Sequence, residues 1–245
     1  MGDGVDPVVS WYDLGSEDIG RRTDRWVLVP AAQIEGHGPF LPVGTDKYIV
    51  EHVASGAATR AGALVGPAIL TGNCFDFERW PGFVTAGNAT YIGLVQDYVG
   101  SLVRQGFSRA VFLLNHAGHN FNAVDLALSE LRLGAEVDFR LTRTSSLAES
   151  MSMVWTERRA SPELSAMMAL RPDLVDWEAF RADSASETAP PRGSCMYYGA
   201  GNRLPNPLLR GVPVGVPGSS AELGRQFLDA CILSLTALLA VQTPA

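Results

Sequence analysis

The sequence predicts an α/β protein whose mostly parallel sheet is covered by helices on both faces. Three observations carry this. Short apolar runs alternate with longer helical patterns through the first 143 residues. The runs are continuous in hydrophobicity, not alternating, as expected of strands buried on both sides. A charged motif at 35–46 and a polar, histidine-bearing motif at 115–120 each begin where such a run ends, and in parallel sheets the ligand crevice lies beyond the carboxyl ends of the strands.

In chain order, "RWVLVPAAQ" (25–33) reads as a buried strand. "DKYIVEHVASGAATRAG" follows as a helix with Thr45 or Asp46 near its N-terminus. "ALVGPAI" (63–69) is a second strand. "ATYIGLVQDYVGSLVRQGF" (89–107) is an amphipathic helix that places Tyr91, Leu94, Val95, Tyr98 and Leu102 on one face. "RAVFLLN" (109–115) is a third strand, "NFNAVDLALSELRLG" a helix, and "EVDFRLTR" (136–143) a fourth strand. From 144 to 210 the pattern weakens into helical pieces and loop, expected to cap the crevice from the same domain. The whole chain, 1–245, is expected to be one domain. Near the C-terminus "ACILSLTALLAV", about twelve apolar residues, is short for a bilayer and reads as a buried or subunit-facing helix.

A net charge of −7 argues against a nucleic-acid surface, which needs a basic stripe. "MGDGVDPVVSWYDL" lacks the basic and apolar blocks of a signal peptide, and Asp6 stands where a myristoylation site needs Ser or Thr. Cys74, Cys195 and Cys231 are far apart, which fits reduced thiols in the cytoplasm better than a disulfide frame. The partner expected is therefore a small molecule, with neither nucleic acid nor membrane. No G-x-G-x-x-G, P-loop or G-x-S-x-G occurs, against nucleotide binding and an α/β-hydrolase triad.

The chemistry concentrates in two stretches. In "QIEGHGPFLPVGTDKY" (33–48), Glu35 and His37 are two apart and share a side if the chain is extended. Asp46 returns after a Gly- and Pro-rich loop. Histidine with carboxylates is the donor set of Zn, Mn or Fe(II), although a solvated loop explains the same spacing. In "LLNHAGHNFN", Asn115 and His116 follow an apolar strand, and His119 and Asn120 open a helix. The alternative reading there is helix capping or core hydrogen bonding. Three of the four histidines lie in these two motifs; the other, His52, sits mid-helix and reads as structural. Glu187 lies in a loop before two prolines. Trp80, Trp155, Trp177, Tyr197 and Tyr198 wall a pocket or fill core.

"IEGHGPFLPVGTD" resembles the creatininase-family signature, roughly E-x-H-G-P-H-L-P-x-x-T-D, with Glu35, His37 and Asp46 at identical spacing. "NHAGHN" (115–120) is similar to the family's N-G-H-x-E-N or N-G-H-G-G-N segment. "FERWPGFVTAGNATYIGLV" resembles its F-P-G-T segment, "DSASETAP" its E-T-S segment at Glu187, and "GVPVGVPGSSAELGRQFLDA" its C-terminal G-x-x-G-x-P stretch. The resemblance implies a three-layer α/β/α sandwich, a homo-oligomer (a hexamer), and a two-metal site that hydrolyses C–N bonds in small cyclic amides or formamides. In that pattern the aspartate bridges two ions; the glutamate and the N-G-H histidine complete one site, and the E-x-H histidine and a carboxylate complete the other.

Two departures matter. Ala117 stands at the N-G-H histidine, and His119 at the glutamate. The set His37, Asp46 and His119 suits one divalent ion, zinc first and Mn or Fe next, with Glu35 beside it as a general base on the attacking water. In an alternative, His116 swings inward and rebuilds the first site with Glu35. Phe40 replaces a family histidine and implies a more apolar pocket wall, joined by Trp155, Trp177 and Tyr197 over the substrate. Asn115 and Asn120 orient the loop or donate to an oxyanion. The expected function is metal-dependent hydrolysis of a cyclic amide, lactam or related C–N bond in a small molecule, by metal-activated water. The rivals are a cyclase, dehydratase or isomerase on the same scaffold, and a metal-free small-molecule binder.

Overall fold

The computed structural model describes residues 9–37, 40–73, 81–116, 119–134, 136–150, 161–184 and 218–241. Its centre is a parallel sheet in the order β1-β3-β2-β4-β5. The strands are β1 (Val9–Ser10), β2 (Val27–Ala31), β3 (Leu64–Val65), β4 (Arg109–Leu114) and β5 (Asp138–Arg143). The two middle strands of the longest run, β2 and β4, pair from Val27↔Ala110 to Ala31↔Leu114.

Continuous hydrophobicity in β2 and β4 reflects two cores, one per face. Leu28, Val111 and Leu113 point to one side, where they meet Ile49, Val53, Cys231 and Leu235. Val27, Val29, Phe112 and Leu114 point to the other, against Tyr91, Val95, Val99 and Val124. Helices α1 (Ser16–Gly20), α2 (Thr45–Ala61), α3 (Asn88–Arg104) and α4 (His119–Glu130) belong to the first half of the chain. The second half adds α5 (Thr144–Ser150), α6 (Pro162–Leu170), α7 (Trp177–Ser184) and α8 (Ala221–Ala240). Helices α2 and α8 cover the first face and α3 and α4 the second, giving three layers.

Four details depart from the sequence reading. The second strand is only Leu64–Val65, because Pro67 has no N–H to offer a ladder; pairing resumes as a single bridge between Ala31 and Ile69. Strand β1 was not anticipated, being two residues long and carrying no periodicity. Leu94 is exposed, since the inward face of α3 runs through Tyr91, Val95, Val99 and Leu102. The C-terminal helix is longer than its apolar run suggested. Serine 220 caps it by accepting from Leu223 N at 3.2 Å, and it extends for 20 residues. By length and composition it is long enough to cross a membrane, with half of its most apolar window buried inside the fold. Its inward face, from Phe227 through Cys231 to Leu235, belongs to the core shared with α2.

Two helices of the second half are placed by local chemistry. Ser161 caps α6, accepting from Leu164 N at 3.2 Å, and Pro162 occupies the first helical position. Helix α8 then crosses α6 with no side chain between them. A Cβ at Gly224 would overlap the Ser165 carbonyl and lie 2.9 Å from Ala166 N. The backbone of α6 is thereby seated directly on α8.

Candidate metal centre

The site forms at the carboxyl ends of β2 and β4. Past β2, the Gln33 amide donates to Val84 O at 2.7 Å and to Ile34 O at 3.2 Å. Glu35 N donates to Val43 O at 3.1 Å, closing the Gly/Pro loop on itself. Thr45 donates to Pro42 O through its hydroxyl at 2.7 Å and its amide at 3.1 Å. That tight turn delivers Asp46 into the first turn of α2, 1% exposed. The sequence motif is thus a loop folded to bring its two ends together.

His37 is buried beside Asp46. Its Nδ1 lies 3.2 Å from Glu35 O and its Nε2 3.1 Å from Asp46 Oδ1. Burial alone would lower the imidazole pKa, but Asp46, Glu163 and Glu35 outweigh it and raise the value to about 10. Both ring nitrogens therefore donate in the metal-free protein. Asn115 Nδ2 donates to the same Asp46 Oδ1 at 2.8 Å, and Thr144 Oγ1 donates to Asn115 Oδ1. His116 Nε2 meets Glu35 Oε1 at 3.2 Å. Burial works against its charge, yet the hydrogen bond and charge of Glu35 hold its pKa up.

Two buried atoms here lack hydrogen-bond partners among the described residues: Asp46 Oδ2 and His116 Nδ1. Buried polar atoms of folded proteins are rarely without a partner, and a bound ion is one standard reason for such a pair. Two triads of ligand atoms share Asp46. In each of Glu35–Asp46–His116 and His37–Asp46–Glu163 the atoms lie within 4.8 Å of one another. Carboxylate and imidazole donors in this number fit Zn or Mn.

Glu163 escaped the sequence reading. It is a half-buried residue in the first turn of α6, in "SPEL", where an acid is ordinary helix-start chemistry. No spacing ties it to residues 35–46; only tertiary packing does. Burial pushes its carboxyl up, with Asp46 and Glu35 adding to the rise and His37 opposing it.

The remaining candidates fall as follows. Glu35, His37, Asp46, Asn115 and His116 converge. Glu35 pairs with His116, the arrangement expected of the inward-turned alternative. Asn115 is committed to Asp46 and Thr144, and is a positioning residue for that carboxylate. Asn120 braces the loops, accepting from Asn73 N and donating to Gln33 Oε1 at 3.3 Å. Phe40 does not wall an open pocket. It is 1% exposed and fills a small core with Leu164, Met167 and Val175, edge-on to Phe180. Trp177 in turn meets Phe180 edge to face and donates to Pro172 O at 3.1 Å. His119 begins α4, with its side chain outside the described residues; Glu187, Trp80, Trp155, Tyr197 and Tyr198 also lie outside them. His52 is exposed on α2, away from the cluster, and partial desolvation lowers its pKa. A cavity of about 130 Å³ adjoins the cluster, lined by Asn115, His116, Arg143, Thr144, Glu163 and Phe227 among others.

Fold and cluster define a class: a parallel α/β protein with a histidine–carboxylate centre of metal-binding type at the carboxyl edge of its sheet. The creatininase family profile, described as creatinine amidohydrolase, matches residues 10–239, and the chain belongs to that family. It is 29% identical over 227 residues to a creatinine amidohydrolase of Pseudomonas putida, covering 84% of this chain and 85% of that one. It is 37% identical over 112 residues to a mycofactocin precursor peptide peptidase of Mycolicibacterium smegmatis, covering 43% and 44%. A crystal structure of creatinine amidohydrolase superposes with a TM-score of 0.75 at 25% identity, over 96% of this chain and 97% of that one.

Proposed function

We propose that the protein is a metal-dependent amidohydrolase that cleaves a C–N bond in a small molecule, a cyclic amide or lactam first. The observation that carries this reading is Asp46. It is 1% exposed and set between two imidazoles, with one oxygen that has no hydrogen-bond partner among the described residues. Glu35, Asp46 and His116 would hold a divalent ion, with zinc favoured by the donor set and Mn or Fe compatible with it. Such an ion supplies Lewis acidity toward the scissile carbonyl and makes water a competent nucleophile near neutral pH.

The chain's own residues provide the frame. Thr144 holds Asn115, and Asn115 holds Asp46 Oδ1, so the carboxylate has one orientation. The Glu35 carbonyl receives His37 Nδ1–H and aims Nε2 at Asp46. The adjoining cavity of about 130 Å³ suits a compact substrate group. A second reading, hydrolysis of a peptide amide, is favoured by the 37% identity to the peptidase over 112 residues. A homo-oligomer, a hexamer by family resemblance, belongs to the same proposal, and sedimentation velocity tests it.

The test is turnover in oxygen-18 water by zinc- or manganese-loaded protein, with creatinine, a five-membered lactam, an N-formyl amine and a dipeptide amide as substrates. Mass spectrometry reads the products. One labelled oxygen per product, lost in Asp46→Asn, is the expected result. Conversion without label would mean isomerisation and defeat the hydrolase reading. Labelled product from the dipeptide amide alone would select the peptide reading.

A further inference from the structure

We propose that Glu163 is the carboxylate ligand of a second ion, held together with His37 and Asp46, and that this ion ties α6 to the loop after β2. The inference rests on the metallohydrolase reading of the Asp46 centre and deepens it.

Three observations converge. The ligand atoms of His37, Asp46 and Glu163 lie within 4.8 Å of one another, close enough for one cation to touch all three. Asp46 uses Oδ1 for His37 and Asn115, while the buried Oδ2 is unpartnered among the described residues, so the residue retains an oxygen for an ion. Glu163 is also not carried by a loose segment. It sits in the first turn of a helix capped by Ser161 and started by Pro162, and that helix rests backbone-on-backbone on α8 at Gly224. Its carboxylate is delivered from a different element than the motif after β4, where His119 stands in the position that resembles the family's glutamate. The carboxylate donor thus comes from a helix of the second half, not from the turn that follows β4.

This placement has a mechanical consequence. Two of the three donors, His37 and Asp46, belong to the loop and helix that follow β2, and the third belongs to α6. An ion held by all three is a cross-link between segments far apart in the chain, and it stabilises the folded state by its binding free energy.

Metal content per folded chain provides the test, read by elemental analysis after dialysis against zinc and gel filtration, for the native protein, Glu163→Gln, Glu163→Asp and His119→Ala. Circular dichroism confirms folding, and the zinc-dependent rise in Tm is recorded for each. The expected result is two ions in the native protein and in His119→Ala. Glu163→Gln should retain one ion and lose part of the zinc-dependent rise in Tm. Glu163→Asp, which keeps the charge on a shorter arm, should bind the second ion at least about tenfold more weakly. Two ions retained in a folded Glu163→Gln would overturn the Glu163 assignment and leave the hydrolase reading standing. So would one ion in the native protein, or loss of an ion in His119→Ala alone. No ion in the native protein would overturn both.

Discussion

Gly224→Ala probes the link between helix packing and the metal centre. Taken alone, alanine in a helix interior is favoured over glycine by about 1 kcal/mol. Gly224 has ordinary helical geometry, its N–H donating to Ser220 O at 2.9 Å, so a stabilising mutation is the naive expectation. The packing reverses the sign. The new methyl would overlap the Ser165 carbonyl and stand 2.9 Å from Ala166 N, both backbone groups that no rotamer change can move. Carbon–oxygen contacts relax at roughly 3.3 to 3.6 Å, so α6 and α8 must part by about 1 Å or more. Overpacking costs about 1–3 kcal/mol, and overlap with two fixed backbone groups puts this site in the upper part of that range, about 2–3 kcal/mol. After the helical gain is set against it, a net loss of about 1–2 kcal/mol remains. For a chain of 245 residues, each kcal/mol is worth roughly 2–4 °C. Tm should therefore fall by about 2–8 °C in metal-free protein, read by differential scanning calorimetry. Because Ser165 and Glu163 share α6, zinc content should fall with it. An unchanged or raised Tm would refute the close approach of the two helices and the coupling drawn from it.

Three further outcomes follow from the site and its surroundings. Thr144→Val removes the hydroxyl that donates to Asn115 Oδ1 and leaves a buried acceptor unmet; urea denaturation should show a loss of about 1–3 kcal/mol, and zinc affinity should weaken by about 10- to 100-fold. In metal-free protein the His37 pKa is raised to about 10 from 6.5, so its pairing stabilises the fold fully below pH 6.5 and is lost as pH rises through 10. Thermal melts across that range should decline in native protein and flatten in His37→Gln. The Cys231 thiol is pushed up to about 12 by burial, so peptide mapping after iodoacetamide at pH 8 should find it unmodified in native protein and alkylated in urea.

How far the sequence carried depended on how local each signal was. Strands β2 and β4 were legible because burial on two faces writes an unbroken apolar run, and α3 because one buried stripe recurs at helical spacing. The edge strand Val9–Ser10 was not, because two residues carry no period. At the site, Glu35, His37 and Asp46 were legible as one motif whose Gly/Pro loop closes on itself. Phe40 was misplaced for a reason visible in that loop: the turn that lifts His37 and Asp46 to the crevice sends the intervening ring down into a core of Leu164 and Met167. Glu163 had no sequence signal, since an acid after Ser-Pro at a helix start is satisfied by local chemistry alone. The orientation of His116 toward Glu35 likewise depends on side-chain placement that spacing does not encode.

The claim on which all of this turns is that Asp46 is the carboxylate shared between ions. Anomalous diffraction at the zinc edge, from crystals grown with zinc, tests it most directly. The account predicts two peaks flanking Asp46, each about 2.0–2.2 Å from one of its oxygens. One should be bounded by Glu35 and His116 and the other by His37 and Glu163. Well-ordered crystals with no anomalous peak within reach of Asp46, and with its Oδ2 filled by water or a protein donor, would contradict it.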